Sequence, residues 1–172
     1  RMSSLVVFST STGNTKKIAD AIFSALKDKD KKIIDVNEIN TVDINEFEKI
    51  IIGGWIDKGE IDEKAKEFLT NLKNKKLGLF LTMGGNPETD RAKKCIQKVR
   101  ELLEKNGNII EKTFVCQGAI DPDLINKFRK MTKQGIAGPF AATPEREARW
   151  AEAAKHPDEK DIENAKRIFG GL

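Results

Sequence analysis

The 172-residue chain has no tyrosine, one histidine and two cysteines, and only 6% of its residues are aromatic. Cys95 and Cys116 stand alone in the sequence, at no metal-ligand spacing and in no disulfide framework, and each reads as a small buried hydrophobe. His156 has no nucleophile-and-base pattern around it. His156-Pro157-Asp158 reads instead as a turn that caps a following helix, so no catalytic residue and no metal ligand is assigned. No apolar run approaches the ~20 residues that a membrane helix needs. Ser3 and Ser4 lead directly into the first apolar run, so no secretory signal is expected and the expected location is cytoplasmic. The lysines are not interleaved with aromatics, which argues against nucleic acid as a partner. Neither Gly-x-x-x-x-Gly-Lys nor Gly-x-Gly-x-x-Gly occurs, which excludes the two common nucleotide-phosphate loops.

The composition present, 38% hydrophobic and 34% charged with a net charge of +4, is that of a soluble globular protein. Its length suits one domain able to bury a sizeable core. The mixed run Lys27-Asp28-Lys29-Asp30-Lys31-Lys32 reads as a solvated turn. Five short apolar runs recur along the chain: Leu5–Phe8, Ile33–Val36, Lys49–Gly53, Leu77–Thr82 and Thr113–Cys116. Continuous runs of this kind suit strands buried on both faces of a parallel sheet. Between them lie helical stripes, Ile18/Ala21/Ile22/Ala25, Ala65/Phe68/Leu69/Leu72 and Cys95/Ile96/Val99/Leu102/Leu103. Ile162, Ala165, Ile168 and Phe169 form a closing helix, with Asp158 as its N-cap. The alternation predicts an α/β fold, a three-layer α/β/α sandwich around a five-stranded parallel sheet. Residues 121–150, polar and broken at Gly135–Pro139 and Thr143-Pro144, read as a helical and loop insertion in a single domain spanning 1–172.

The most informative segment follows the first strand. Thr10-Ser11-Thr12-Gly13-Asn14-Thr15 leads straight into the first helix and brings hydroxyls, an amide and backbone N–H groups to a helix N-terminus. Such an end carries unpaired donors and the positive pole of the helix dipole, and it suits an anion. With no lysine in the loop, the chemistry fits a phosphomonoester held by hydrogen bonds. The segment resembles the FMN-phosphate loop of flavodoxins, Thr/Ser-x-Thr-Gly-x-Thr.

The resemblance implies the flavodoxin strand order 2-1-3-4-5 and FMN as cofactor. It also implies that two further loops meet the phosphate loop beyond the carboxyl ends of the strands. One is Gly54-Trp55-Ile56-Asp57-Lys58-Gly59, read as a loop in which Trp55 covers the flavin and Gly59, free to take positive φ, lies near flavin N5. The other is Thr82-Met83-Gly84-Gly85-Asn86, whose glycines let backbone approach the ring. Gln117-Gly118 at the end of the fifth strand is a further candidate. Two departures stand out. Many flavodoxins stack a tyrosine on the outer flavin face, and here Met83, Phe140 or Trp150 is left for that role. Flavodoxins are usually acidic, whereas Lys58 and the +4 net charge are expected to raise the second one-electron potential. The expected function is electron transfer between a donor reductase and a downstream oxidoreductase, both protein redox partners. The alternative is an FMN-dependent enzyme of the same fold that acts directly on a quinone or tetrapyrrole-type molecule with NAD(P)H.

Overall fold

In the computed structural model, which describes residues 3–171, five parallel strands form the central sheet in the order β2-β1-β3-β5-β6. They are β1 (Ser3–Phe8), β2 (Asp30–Asp35), β3 (Lys49–Asp57), β5 (Lys76–Met83) and β6 (Ile109–Gln117). A sixth strand, β4 (Glu60–Ile61), pairs antiparallel with the end of β3 and lies off this path. Counting the parallel strands alone gives the expected order 2-1-3-4-5. The helices are α1 (Asn14–Ala25), α2 (Glu63–Thr70), α3 (Asp90–Glu104), α4 (Pro122–Lys133), α5 (Pro144–Ala153) and α6 (Glu159–Gly170). The connection from β2 to β3 holds only two 3-10 turns, Val36–Thr41 and Ile44–Glu46, capped by Asp35 and Asp43.

Alternation along each strand divides the core in two. Leu5, Val7, Ile50, Ile52, Leu77 and Leu79 face Ala65, Leu69, Val99 and Leu103 of α2 and α3. Val6, Phe8, Ile51, Phe80 and Phe114 face Ile18, Ile22, Ala165 and Phe169 of α1 and α6. The Phe80 ring lies over Gly53, where a Cβ would come within 2.0 Å of it. Phe169 meets Phe80 edge-on, with centroids 6.5 Å apart, and covers Gly78. These glycines are strand residues whose missing side chains make room for aromatic rings.

Two expectations are corrected here. The lysine-aspartate run is not a solvated turn throughout, because Asp28 is buried and accepts a hydrogen bond from the Ser4 hydroxyl, with Lys49 Nζ at 3.4 Å. Lys31 is likewise held, donating to the carbonyls of Phe23 and Leu26 and lying over the Phe23 ring. Cys95 is half-buried where burial was expected, while Cys116 is buried as expected.

Candidate functional site

The parallel register brings the carboxyl ends of β1, β3, β5 and β6 to one edge of the sheet. Ser9, one residue past β1, donates its N–H to the Gly53 carbonyl at 3.0 Å. Trp55 of β3 stands opposite Thr82 of β5, and Met83 stands opposite Gln117 of β6. Gly118 donates its N–H to the Met83 carbonyl at 2.8 Å, and Gln117 Nε2 reaches the Gly84 carbonyl at 3.2 Å. The four sequence segments therefore meet, as the strand order requires.

At their centre is the start of α1. Among the described residues, α2 through α6 each have an N-cap side chain that accepts a backbone N–H, and each has a carboxylate in its first turn. α1 has neither. Its N-cap is Gly13 at φ 101°, with no side-chain cap and no acidic residue in the first turn. Only glycine takes that conformation freely, and the space where its Cβ would stand is open. The dipole's positive end and the first-turn N–H groups are thus left for an anion to satisfy.

The hydroxyls around this end divide by role. Thr10 Oγ1 accepts the Gly13 N–H at 3.0 Å, which leaves its own proton to donate elsewhere. Ser11 and Thr12 are exposed. Asn14 is a strut: its Nδ2 donates to Thr12 Oγ1 at 3.4 Å and to the Ala119 carbonyl at 2.8 Å, joining the loop to the segment after β6. Thr15 is buried, with its hydroxyl 2.9 Å from that of Thr82. Ser11 and Thr12 are therefore exposed and Thr10 keeps a proton to donate, while Asn14 and Thr15 hold the loop in place.

The second segment is corrected from loop to strand. β3 continues through Gly54, Trp55 and Ile56 to Asp57, and a two-residue turn, Lys58-Gly59, returns the chain into β4. Both turn residues have positive φ, 52° and 82°, as the hairpin turn matching strand twist requires. Gly59 thus has the expected conformation. Gly54 is buried against α2, where a Cβ would stand 2.5 Å from Asp62 Oδ1 and 2.9 Å from the Ala65 methyl. Trp55 and Ile56 are half-buried, and Asp57 and Lys58 are exposed.

Asp62 was not singled out from the sequence, although an aspartate directly before the Ala65/Phe68/Leu69 stripe is an N-cap signal. Its buried carboxylate accepts the Ser9 hydroxyl, the Trp55 N–H at 3.1 Å and the Ala65 N–H at 3.1 Å. One side chain thus ties the base of the Thr10–Thr15 loop, strand β3 and helix α2 together.

In the third segment Thr82 and Met83 also belong to a strand, β5, and both are buried. Gly84 lies against Ile120, and Gly85 has open space around it. Asn86 Oδ1 accepts the Glu88 N–H at 2.9 Å, so its side chain forms the turn leading to the Thr89 cap of α3. Neither Met83 nor Trp150 is free to cover a ring. Met83 is buried, and Trp150 is buried beside Phe128, which also stacks on Phe140 at 5.1 Å.

His156 is part of a cap, as expected. Asp158 and Asp161 form a capping box, and His156 Nδ1 is 2.6 Å from Asp161 Oδ2. That bond to Asp161 raises the imidazole pKa against a smaller opposing effect of burial. Burial, reinforced by the carboxylates of Asp161 and Asp158, pushes the Cys116 thiol far above its ordinary range and leaves it inert. No helix among the described residues is long and apolar enough to cross a membrane.

Comparison with known proteins identifies the family and the fold. The family model described as a flavodoxin domain matches residues 5–170. The flavodoxin-like domain-containing protein BilS of Clostridioides difficile (strain CD3) is 35% identical over 166 residues, covering 95% of this chain and 92% of that protein. Among solved structures, a flavodoxin from the domain Archaea superposes with a TM-score of 0.59 at 17% identity, covering 98% of this chain and 94% of that one. A flavoprotein from Lactobacillus acidophilus, solved in complex with FMN, gives a TM-score of 0.51 at 17% identity over 74% of this chain and 98% of its own.

Proposed function

This chain belongs to the flavodoxin family, and on that premise we propose that it is an FMN-binding electron carrier between protein redox partners. The observation that carries the reading is the α1 N-terminus. It is the one α-helix start among the described residues with neither a side-chain cap nor a first-turn carboxylate, and hydroxyls precede it. These residues fit a phosphomonoester. The first-turn N–H groups and the hydroxyls of Thr10, Ser11 and Thr12 would hold it by hydrogen bonds, with the helix dipole favouring its charge. The open space at Gly13 admits the phosphate without a clash.

FMN supplies the redox chemistry, and the protein supplies binding, orientation and electrostatics. Trp55, Ile56 and the Lys58-Gly59 turn would line one side of the ring, with Gly84, Gly85 and Gln117-Gly118 bordering it elsewhere. Asp62, Asn14 and the Thr15–Thr82 pair keep these segments in register from behind. The Lys58 ammonium would favour added negative charge on the ring, which raises the second one-electron potential relative to acidic flavodoxins. Among the described residues of the site, these side chains would bind and orient the cofactor, leaving the chemistry to it.

The test is anaerobic. The reconstituted protein should bind FMN, accept electrons from dithionite in two one-electron steps, and remain oxidised with NADH or NADPH alone. Bleaching by a nicotinamide nucleotide without a partner would overturn the carrier reading in favour of a direct reductase. Failure to bind FMN would overturn both.

A further inference from the structure

Helix α4 buries none of its residues, and a concentration of exposed apolar side chains accompanies it. Leu124 is 41% exposed, Ile136 47% and Phe140 49%. Phe128, Met131, Ile136, Pro139 and Phe140 line a depression between α4 and the loop that follows it. An apolar depression of this kind on a water-facing helix marks an interaction surface.

Charge identifies the occupant. From residue 121 to 150 there are six cationic side chains and four carboxylates, a surplus of two beside a whole-chain net charge of +4. Arg129 is neutralised by a bidentate pair with Glu147. Lys127, Lys130 and Lys133, three residues apart and therefore along one side of α4, are exposed and form no ion pair among the described residues. Lys127 and Lys130 are chain neighbours of the lining residues Phe128 and Met131, so the helix that carries the depression is also positively charged. A second copy of the chain is disfavoured, because a two-fold contact would set these lysines against each other. A lipid surface is disfavoured because the apolar groups border a concave depression that a flat bilayer would not fill.

We propose that the α4 face, with the loop 134–141, is the docking surface for an acidic redox protein that inserts an apolar side chain into the depression. The proposal rests on the electron-carrier reading for the partner's identity. α4 begins at Pro122, three residues from Ala119, whose carbonyl holds Asn14 of the phosphate-binding loop. A protein seated on α4 therefore lies at the margin of the cofactor site.

The experiment uses rubredoxin, a small acidic redox protein, in its zinc-substituted form as the probe. Titrated into the 15N-labelled protein at low salt, it should shift amides within 124–141. The shifts should vanish in the charge-reversal variant K127E/K130E/K133E and weaken in Ile136→Ser, with all three proteins retaining the same FMN affinity. With iron rubredoxin as acceptor, electron transfer from the reduced protein should slow by about tenfold or more in the triple variant. Shifts confined to other surfaces, or none, overturn the proposal. So does co-sedimentation with phosphatidylglycerol vesicles that the triple variant loses, or a dimer that Ile136→Ser dissolves. The amide shifts do not require bound FMN, so docking can succeed or fail independently of the electron-carrier reading.

Discussion

The hydroxyl of Thr15 in the first turn of α1 lies 2.9 Å from the hydroxyl of Thr82 near the end of β5, across 67 residues of sequence. Both side chains are buried, at 1% and 3% exposure. This bond couples the uncapped start of α1 to the carboxyl end of β5. Because the pair is sealed from water, breaking it leaves a buried hydroxyl unsatisfied.

Thr15→Val and Thr82→Val should each lower stability by about 1–3 kcal/mol in urea unfolding. The double variant should cost less than the sum of the two, because removing both hydroxyls leaves no unpaired group. FMN affinity should fall in the single variants as the loop loses its brace. Additive costs in the double variant would show that the bond contributes nothing specific.

Asp62 should rank among the most sensitive polar positions. Its carboxylate serves the Ser9 hydroxyl and two backbone N–H groups, one of them the α2 cap. Asp62→Ala removes a helix cap worth about 1 kcal/mol and strands further buried donors, for a total of about 2–4 kcal/mol. Asp43→Ala, at an exposed cap of a 3-10 turn, should cost under about 1 kcal/mol by the same measurement.

Much of this fold was legible because the central strands β1, β3 and β5 are buried on both faces and read as apolar runs, whereas the half-exposed edge strands β2 and β6 showed only their apolar ends. The helix stripes were legible for the complementary reason, each burying one face. The open start of α1 was legible because Gly13, at positive φ, offers no side-chain cap. Where β3 ends was hidden. From Gly54 on, the sequence looks like a loop, yet Gly54 lies inside the strand with the Asp62 carboxylate at its vacated side-chain position, as the Phe80 ring is at that of Gly53. Asp28 was misjudged for a similar reason: its partners, Ser4 and Lys49, lie 24 and 21 residues away. Two-residue β4 is too short for any periodicity to show. Local patterns carried the elements, while long-range contacts decided their ends.

Stability should depend on pH through His156. Its bond to Asp161 raises the folded-state pKa above 6.5, with Asp158 and Glu152 adding to the same effect. A group whose pKa is raised on folding stabilises fully below its unfolded value, and that stabilisation is lost as pH rises through the folded value. The wild type should therefore lose stability as pH climbs from 6.5 through the raised value, and His156→Asn should show a flatter profile there. Thermal unfolding across that range, at constant ionic strength, reads the difference. Parallel profiles for the two proteins would place the dependence elsewhere.

We propose that the α1 N-terminus, with Thr10, Ser11 and Thr12, holds the cofactor's phosphate. The most direct measurement compares FMN with riboflavin, which lacks only the phosphate, by fluorescence titration of the apoprotein. Several charge-assisted hydrogen bonds at about 1.5–3 kcal/mol each imply FMN binding at least ~100-fold tighter than riboflavin. Equal affinity for the two flavins would contradict the assignment of that helix start as a phosphate site.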